Sequence, residues 1–565
     1  MSSSSARLDP SALRPGAPQP GAPAPWRRYF TFNTDAKVIG IQYIALALFY
    51  LLVGGLLAMV IRGELLTPES DLVDPSVYNG LYTMHGTVML FLFLFPILNG
   101  CNNLLIPPMI GAPDMAFPKL NALAFWLFPL FGTLLMVSFF LPGGPASSGW
   151  WAYPPVSTQN PLGLFLNGQL VWILAVALSG ISSIMGAVNF VTTIVRMRAP
   201  GMGWFRMPIF CWTAAAAQII QLVGLPVLTG GAVMLLFDLS FGTSFFQPEG
   251  GGDPMLYQHF FWFYSHPAVY VMVLPVFGIF SELFPVYARK PLFGYPLVAV
   301  ASFAITGLSL IVWVHHMFYS GTPQWMRHLF MVTTMLIAVP TGIKVFAWIA
   351  TLWRGKLRLT TAMLFCLGGL VNFIFAGITG VMLATVPVDI HVGNTYFVVG
   401  HFHYVIFNTI TFGVFAAIYH WFPKFTGRLL YESLGKLHFL LTFVGSALNF
   451  LPMHWAGLMG MPRRVASYDP EFALANVLAS LGAFLLGVAT IPFLLNLVSA
   501  CVRGEKAGPN PWHAIGLEWL LPSPPPLENF EDDVPTVLSG PYGYGLDRPL
   551  VADEERYVRR AAQGA

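Results

Sequence analysis

The chain has 565 residues, 56% of them hydrophobic and only 9% charged, with a net charge of +3. So few charges cannot cover a soluble globule of this size, where about 25% is ordinary, and such apolar richness excludes intrinsic disorder. Cys101, Cys211, Cys366 and Cys501 form no CxxC pair and exclude a disulfide scaffold, and the small net charge gives no sign of nucleic-acid binding. What remains is an all-α polytopic membrane bundle.

Residues 1–35, rich in Ser, Pro, Ala and Gly, read as a disordered tail with no apolar run and hence no cleavable signal peptide. Twelve apolar runs follow, each near the roughly 20 residues that cross a bilayer. They lie at about 40–61, 81–106, 120–141, 167–195, 208–236, 257–285, 294–318, 328–353, 361–384, 395–420, 436–459 and 473–502. In lipid these must be helices, because every backbone group needs a partner within the segment. Lys and Arg collect after the even-numbered runs, at Lys119, Arg196, Arg198, Arg206, Arg289, Lys290, Arg354, Lys356, Arg358, Lys424, Arg428 and Lys436. The loops after odd-numbered runs hold Arg62, Arg327, Arg463 and Arg464. That asymmetry places both termini in the cytoplasm. Residues 36–505 then form one twelve-helix domain, and 506–565, with SPPP and ENFEDD, a peripheral Pro-rich tail.

Histidine carries the chemistry. His85, His266, His315, His316, His401 and His403 lie within or at the ends of apolar runs. Ionisable groups there are costly and usually functional, and neutral imidazole is the commonest metal ligand. His401 and His403, two apart on a helix, project about 200° apart. They cannot share one metal but can each hold a different planar cofactor. His266 and Tyr270, four apart, share a face. With His266, the adjacent His315 and His316 can form a three-imidazole site with an open position, suited to copper. Lys344 lies inside the eighth run.

HPAVY (266–270), the 315–316 pair, PTGIK (340–344) and GHFHYV (400–405) resemble the catalytic subunit of cytochrome c oxidase, in the haem–copper oxidase superfamily. TMHG (83–86), GAPDMAFP (111–118), YPP (153–155), MPRR (461–464) and LEWLLPSPPP (517–526) extend the likeness over about residues 35–530. The resemblance implies that His85 and His403 ligate a low-spin haem and His401 a high-spin haem. His266, His315 and His316 would hold copper B, with Tyr270 cross-linked to His266. Lys344, Thr341 and Ser281 would form one proton route. Asp114, Asn103 and Asn121 would open a second, with Ser179, Ser182, Ser183 and Asn189 higher up. Arg463, Arg464, Trp150 and Asp389 match the haem-propionate region, and Trp262 an aromatic near the dinuclear centre. Arg62 matches a contact to the formyl group of haem A, although the ligands are the same for haems B and O. The implied function is a terminal respiratory oxidase of the bacterial plasma membrane that reduces O2 and pumps protons. No Cys-His-Met cluster is present, so a partner subunit would carry the dinuclear copper that accepts electrons from cytochrome c. Other small membrane subunits would accompany it.

Three positions depart from the pattern. The glutamate two residues after the first copper ligand is Ala268, with Tyr264-Ser265 preceding the histidine, as in one subgroup. A neutral phenol there would relay protons with Ser265 and internal water. The His-Asp pair that helps bind magnesium is Gly393-Asn394, with His391 two residues earlier, so an intact magnesium site is not expected. The second Asn of the Asp114 route is Ala122. Among alternatives, a quinol oxidase would carry a polar histidine at Val77, and a nitric oxide reductase would lack Tyr270 and Lys344. A twelve-helix transporter would not need these histidines.

Overall fold

A computed structural model describes residues 25–160, 162–530, 534–544 and 557–558. The first 24 residues of the expected tail lie outside this set, and Pro25–Tyr29 form a short 3-10 turn. Eleven helices among the described residues are long and apolar enough to cross a membrane. They are Ala36–Glu64, Pro75–Ile110, Pro118–Phe140, Gly168–Arg196, Ile209–Phe241, Pro254–Ala288, Gln324–Leu352, Thr361–Ala384, Tyr396–Thr426, Glu432–Leu458 and Pro470–Arg503. A shorter apolar helix, Tyr295–Ser309, falls between the sixth and seventh of these and completes twelve. The twelve helices are numbered below as spans in chain order, so that Tyr295–Ser309 is the seventh.

Local chemistry sets the boundaries. Asp35, Asn167, Asp253, Thr360 and Thr395 each accept a backbone N–H of the first turn they precede, satisfying donors that a helix start leaves open. Gly111, Gly242 and Gly427 close helices with positive φ. The seventh span falls short of its expected run, 294–318. Helix stops at Ser309, and His315 and His316 lie on a separate 3-10 turn, Trp313–Met317. Adjacent residues of a regular α-helix point about 100° apart. Off the helix, the two rings approach to 4.3 Å between centroids.

Two π-helical stretches interrupt the bundle, Val88–Leu94 just after His85 and Ile406–Thr411 just after His403. Such widened turns recur at functional sites. The spans that carry these histidines are central. The most apolar window is 78% buried in the second span, 83% in the sixth and 72% in the tenth, against 22% in the first and eighth. Leu440, Leu474 and Val498 lie away from the central cavity and are exposed, as a lipid-facing surface requires.

The eleventh and twelfth spans touch through glycine. A Cβ on Gly482 would lie 2.3 Å from Asn449 N, and one on Gly457 would lie 1.8 Å from Phe397 N on the tenth span. The C-terminal segment is fastened below. Lys424 Nζ donates to the Pro509 and Leu521 carbonyls at 2.7 Å each, and Arg289 donates to those of Trp512 and His513. Thr536–Val537 pairs antiparallel with Tyr557–Val558.

Gly457→Ala is expected to separate the eleventh span from the turn before His401. Its cost exceeds the about 1–3 kcal/mol of ordinary overpacking, because the clash is with backbone. Membrane yield and thermal midpoint should both fall, while the exposed Gly460→Ala neighbour, with open space around its Cβ position, pays only for its positive φ.

Candidate redox and proton-transfer site

The bundle encloses a cavity of about 1220 Å³, above the roughly 300–1,000 Å³ of ordinary small-molecule pockets. All six histidines singled out in the sequence line it. Four have one ring nitrogen tied and the other left over. His85 Nδ1 donates to the Gly54 carbonyl and His403 Nδ1 to that of Val399, each at 2.9 Å. His401 Nδ1 lies 2.9 Å from Thr379 Oγ1, and His315 Nδ1 lies 3.0 Å from Thr334 Oγ1. Both hydroxyls give their own proton to backbone carbonyls, so they accept from the rings. A neutral imidazole that donates from Nδ1 keeps its lone pair on Nε2, ready for a metal.

The His85 and His403 ring planes are 17° from parallel, with centroids 6.4 Å apart. One metal at about 2 Å from each facing nitrogen fits that gap. His266, His315 and His316 each bring a ligand nitrogen to within 4.8 Å of the others. His266 Nδ1 faces His316 Nε2 at 3.0 Å, and His266 Nε2 is buried without a hydrogen-bond partner. Three neutral imidazoles suit copper. Trp262 stacks on His316 at 3.9 Å between centroids, and Tyr270 lies 4.9 Å from His266. Gly380 leaves room for His401, since a Cβ there would come 3.0 Å from its Cε1.

Arg463, Arg464 and Asp389 line the same cavity. The Arg464 guanidinium lies 3.4 Å above the Trp151 ring and that of Arg463 5.9 Å from it. Trp151 therefore underlies the arginines, whereas Trp150 packs edge-on against Trp262. Trp262 Nε1 in turn donates to the Tyr153 hydroxyl. Among the described residues neither arginine pairs with a carboxylate, and Arg463 Nε and Asp389 Oδ2 are buried without partners. Burial raises the Asp389 carboxyl to about 7, with Arg463 pulling it down. Cations without an anion, beside an acid without a donor, fit the carboxylates of a bound prosthetic group. Arg62 is buried on the same cavity, bonded to Asn476 Oδ1 at 2.8 Å and to Ser480 Oγ at 3.3 Å.

Two polar tracks approach from below. Lys344 is fully buried, and its Nζ donates to Val298 O at 3.0 Å and Ser302 Oγ at 2.7 Å, both on the seventh span. Thr341 lines the cavity beside it. Ser281 instead accepts from Trp348 Nε1 at 2.9 Å. The sequence does not single out Ser302, because no periodicity marks a lone serine on another helix.

On the second track, Asn121 Nδ2 donates to Asn103 Oδ1 at 2.5 Å, and Asn103 Nδ2 to Asn99 O at 2.9 Å. Asn99, Ser179, Ser182, Ser183 and Tyr264 line a chamber of about 20 Å³, room for one water. Tyr264 also borders the large cavity, as do Ser265 and Ala268. The Tyr264 hydroxyl donates to Gln221 Oε1 at 3.0 Å. Gln221 went unnoticed in the sequence, although a glutamine inside an apolar run was signal enough. Asn189 holds the loop instead, bonding both the N–H and the carbonyl of Phe117.

The chain is similar to known proteins over most of its length. A family profile described as "Cytochrome C and Quinol oxidase polypeptide I" matches residues 38–485. The cytochrome c oxidase subunit 1 of Thermostichus vulcanus is 54% identical, over 94% of this chain and 95% of that protein. The subunit of the same name from a Synechocystis species is 55% identical, over 96% and 97%. A probable cytochrome c oxidase subunit 1-beta of Nocardia farcinica is 45% identical, over 94% and 91%. A chain of a heme–copper terminal oxidase dimer solved by cryo-EM shares the fold, with a TM-score of 0.72 at 21% identity over 84% of this chain and 85% of that one.

Asp114 gives a pH test outside the spans. Burial outweighs its hydrogen bonds from Met115 and Ala36 and holds the carboxyl up to about 6, from an ordinary 3.8. The proton is therefore retained until the pH rises through about 6. Infrared titration should show a protonated carboxyl band lost with that midpoint, absent in Asp114→Asn; a midpoint near 4 would contradict the burial.

Proposed function

The chain belongs to the cytochrome c and quinol oxidase polypeptide I family, and from that membership we propose how its residues divide the work. It is the catalytic subunit of a terminal respiratory oxidase with cytochrome c oxidase activity, an integral protein of the bacterial plasma membrane. Membership brings haem and copper as cofactors and other subunits as partners. In this reading both termini face the cytoplasm, residues 36–505 are the oxidase domain, and a partner subunit carries the dinuclear copper that receives electrons from cytochrome c.

The cluster of His266, His315 and His316 on one cavity with His85, His401 and His403 carries the proposal. His85 and His403 would hold the low-spin haem, His401 the high-spin haem, and the three-histidine cluster copper B. When bound, these groups supply the electron transfer and oxygen reduction. The protein's own part is to orient and to move protons. Gly54, Val399, Thr379 and Thr334 fix the imidazole tautomers. Arg463, Arg464 and Asp389 would bind propionates, with Trp150, Trp151 and Trp262 packed around them. Arg62, on the same cavity, would contact the formyl group of haem A. No magnesium ion is assigned to Gly393-Asn394.

Tyr270, one turn after His266, would donate a proton and an electron beside the copper ligand. Lys344 would carry protons to it, with Thr341 above and Ser281 nearer the cytoplasm. Asp114, Asn121 and Asn103 would take up protons for the second route and pass them by way of the serine chamber to Tyr264 and Ser265. Pumping then proceeds without a carboxylate at Ala268. Moving one charge across the membrane costs about 2.3 kcal/mol per 100 mV, small beside the drive of oxygen reduction.

Reduced-minus-oxidised spectra and metal analysis test the ligand assignment. His403→Ala should lose the low-spin component while the protein stays in the membrane, and two normal haem spectra would overturn it. Lys344→Met should lower turnover by roughly a hundredfold or more, as expected when a proton-transfer group is lost. Reduction of the low-spin haem should stay fast. Unchanged turnover would remove Lys344 from the route.

A further inference from the structure

The loop that carries Asp114 is held from three sides. Thr193 Oγ1 accepts the Ala116 N–H at 2.9 Å, and Asn189 bonds both polar groups of Phe117. From the N-terminal side, the Ala36 N–H donates to Asp114 Oδ1 at 3.1 Å, and the Met115 N–H reaches the same oxygen at 2.6 Å. The third side is the C-terminal segment. Asn529 Nδ2 donates to the Ala112 carbonyl at 2.8 Å and to the Pro113 carbonyl at 3.2 Å. Both acceptors immediately precede Asp114.

Asn529 is built into this place. It is 2% exposed, although it lies in a segment whose sequence reads as a peripheral tail. Its φ is +55°, a left-handed conformation that asparagine tolerates better than most residues. A second strut lies two residues earlier, where Lys37 Nζ donates to the Leu527 carbonyl at 2.6 Å while facing Asp35 at 3.2 Å. Gly111, which opens the loop at φ +78°, has room for no Cβ, because Ala199, Leu517 and Val534 close on it within 3.2 Å. An irregular loop has no ladder of its own to fix its direction, so the partners of its carbonyls decide where its side chains point.

We propose that the C-terminal segment is part of the proton-intake mouth, with Asn529 a positioning residue that holds the Ala112–Pro113 carbonyls and thereby aims the Asp114 carboxyl. The two N–H donors take Oδ1, and among the described residues no donor takes Oδ2, which is left to meet water. The charged groups facing Asp114 are Asp35 and Lys37, and Lys37 is itself bound to the C-terminal segment. The segment thus sets both the direction of the carboxyl and the place of its nearest cation. Without Asn529, two carbonyls lose their donor, the loop turns to find water, and proton uptake slows. The inference rests on the reading of Asp114 as the mouth of a proton route.

The test uses the assembled oxidase with its partner subunits, reconstituted in liposomes. Asn529→Gly keeps the left-handed backbone available and removes only the amide, and Lys37→Met removes the second strut. Asp114→Asn is the reference. Haem spectra and the KM for cytochrome c should stay native in Asn529→Gly. Protons pumped per electron should fall to half or less, and turnover should decline more steeply with rising pH, where proton supply limits the rate. Lys37→Met should change the same two quantities in the same direction. A native pumping ratio and pH profile in both variants, with Asp114→Asn impaired, would overturn the role of the C-terminal segment alone. A native Asp114→Asn would instead overturn the route on which it rests.

Discussion

Six imidazoles sit inside a bundle whose outer surface is apolar, and a buried ring nitrogen left without a partner costs about 1–3 kcal/mol. The fold answers this one nitrogen at a time. Carbonyls of the first and tenth spans take Nδ1 of His85 and His403, and threonines of the eighth and ninth take those of His315 and His401. All six rings line one cavity. His266 Nε2 is an orphan in the protein alone, which is the expected state of a site completed by its cofactors. The π-helical turns after His85 and His403 and the 3-10 turn under His315 and His316 are the backbone's part in the same arrangement.

The charged groups follow a similar logic. Among the described residues no carboxylate forms an ion pair with Arg463 or Arg464, and burial holds the nearby Asp389 carboxyl up to about 7. Each is costly in isolation and would be satisfied by the anionic or hydrogen-bonding group proposed to occupy the cavity. Lys344 differs, because its amine finds Val298 and Ser302 within the protein. Those two neutral oxygens, both on the seventh span, hold the amine of the proposed proton carrier between two helices.

The two proposed proton routes are built from different material. One depends on a single long side chain that spans between helices. The other is a file of short amides and hydroxyls ending at Tyr264, which stands between a one-water chamber and the main cavity. The phenol lines the main cavity one turn before Ala268, and Gln221 accepts its hydroxyl proton. A neutral relay of this kind needs its partners positioned by packing, since no charge draws them in.

Sequence by itself determined the class, the twelve spans and the six histidines, because apolar run length and the rarity of ionisable groups in lipid are properties of single segments. The resemblance carried by HPAVY, PTGIK and GHFHYV added the expected cofactors. Tertiary structure alone decided which nitrogen His85, His315 and His401 present, since Gly54, Thr334 and Thr379 come from other parts of the chain. It also decided that Trp151 lies under the arginines, that Ser302 meets Lys344, and that Asn529 reaches the loop of Asp114 from 416 residues away along the chain. The physical reason is common to all of these. Periodicity and spacing report which face of its own helix a residue occupies, whereas a hydrogen bond between segments depends on how separate elements pack.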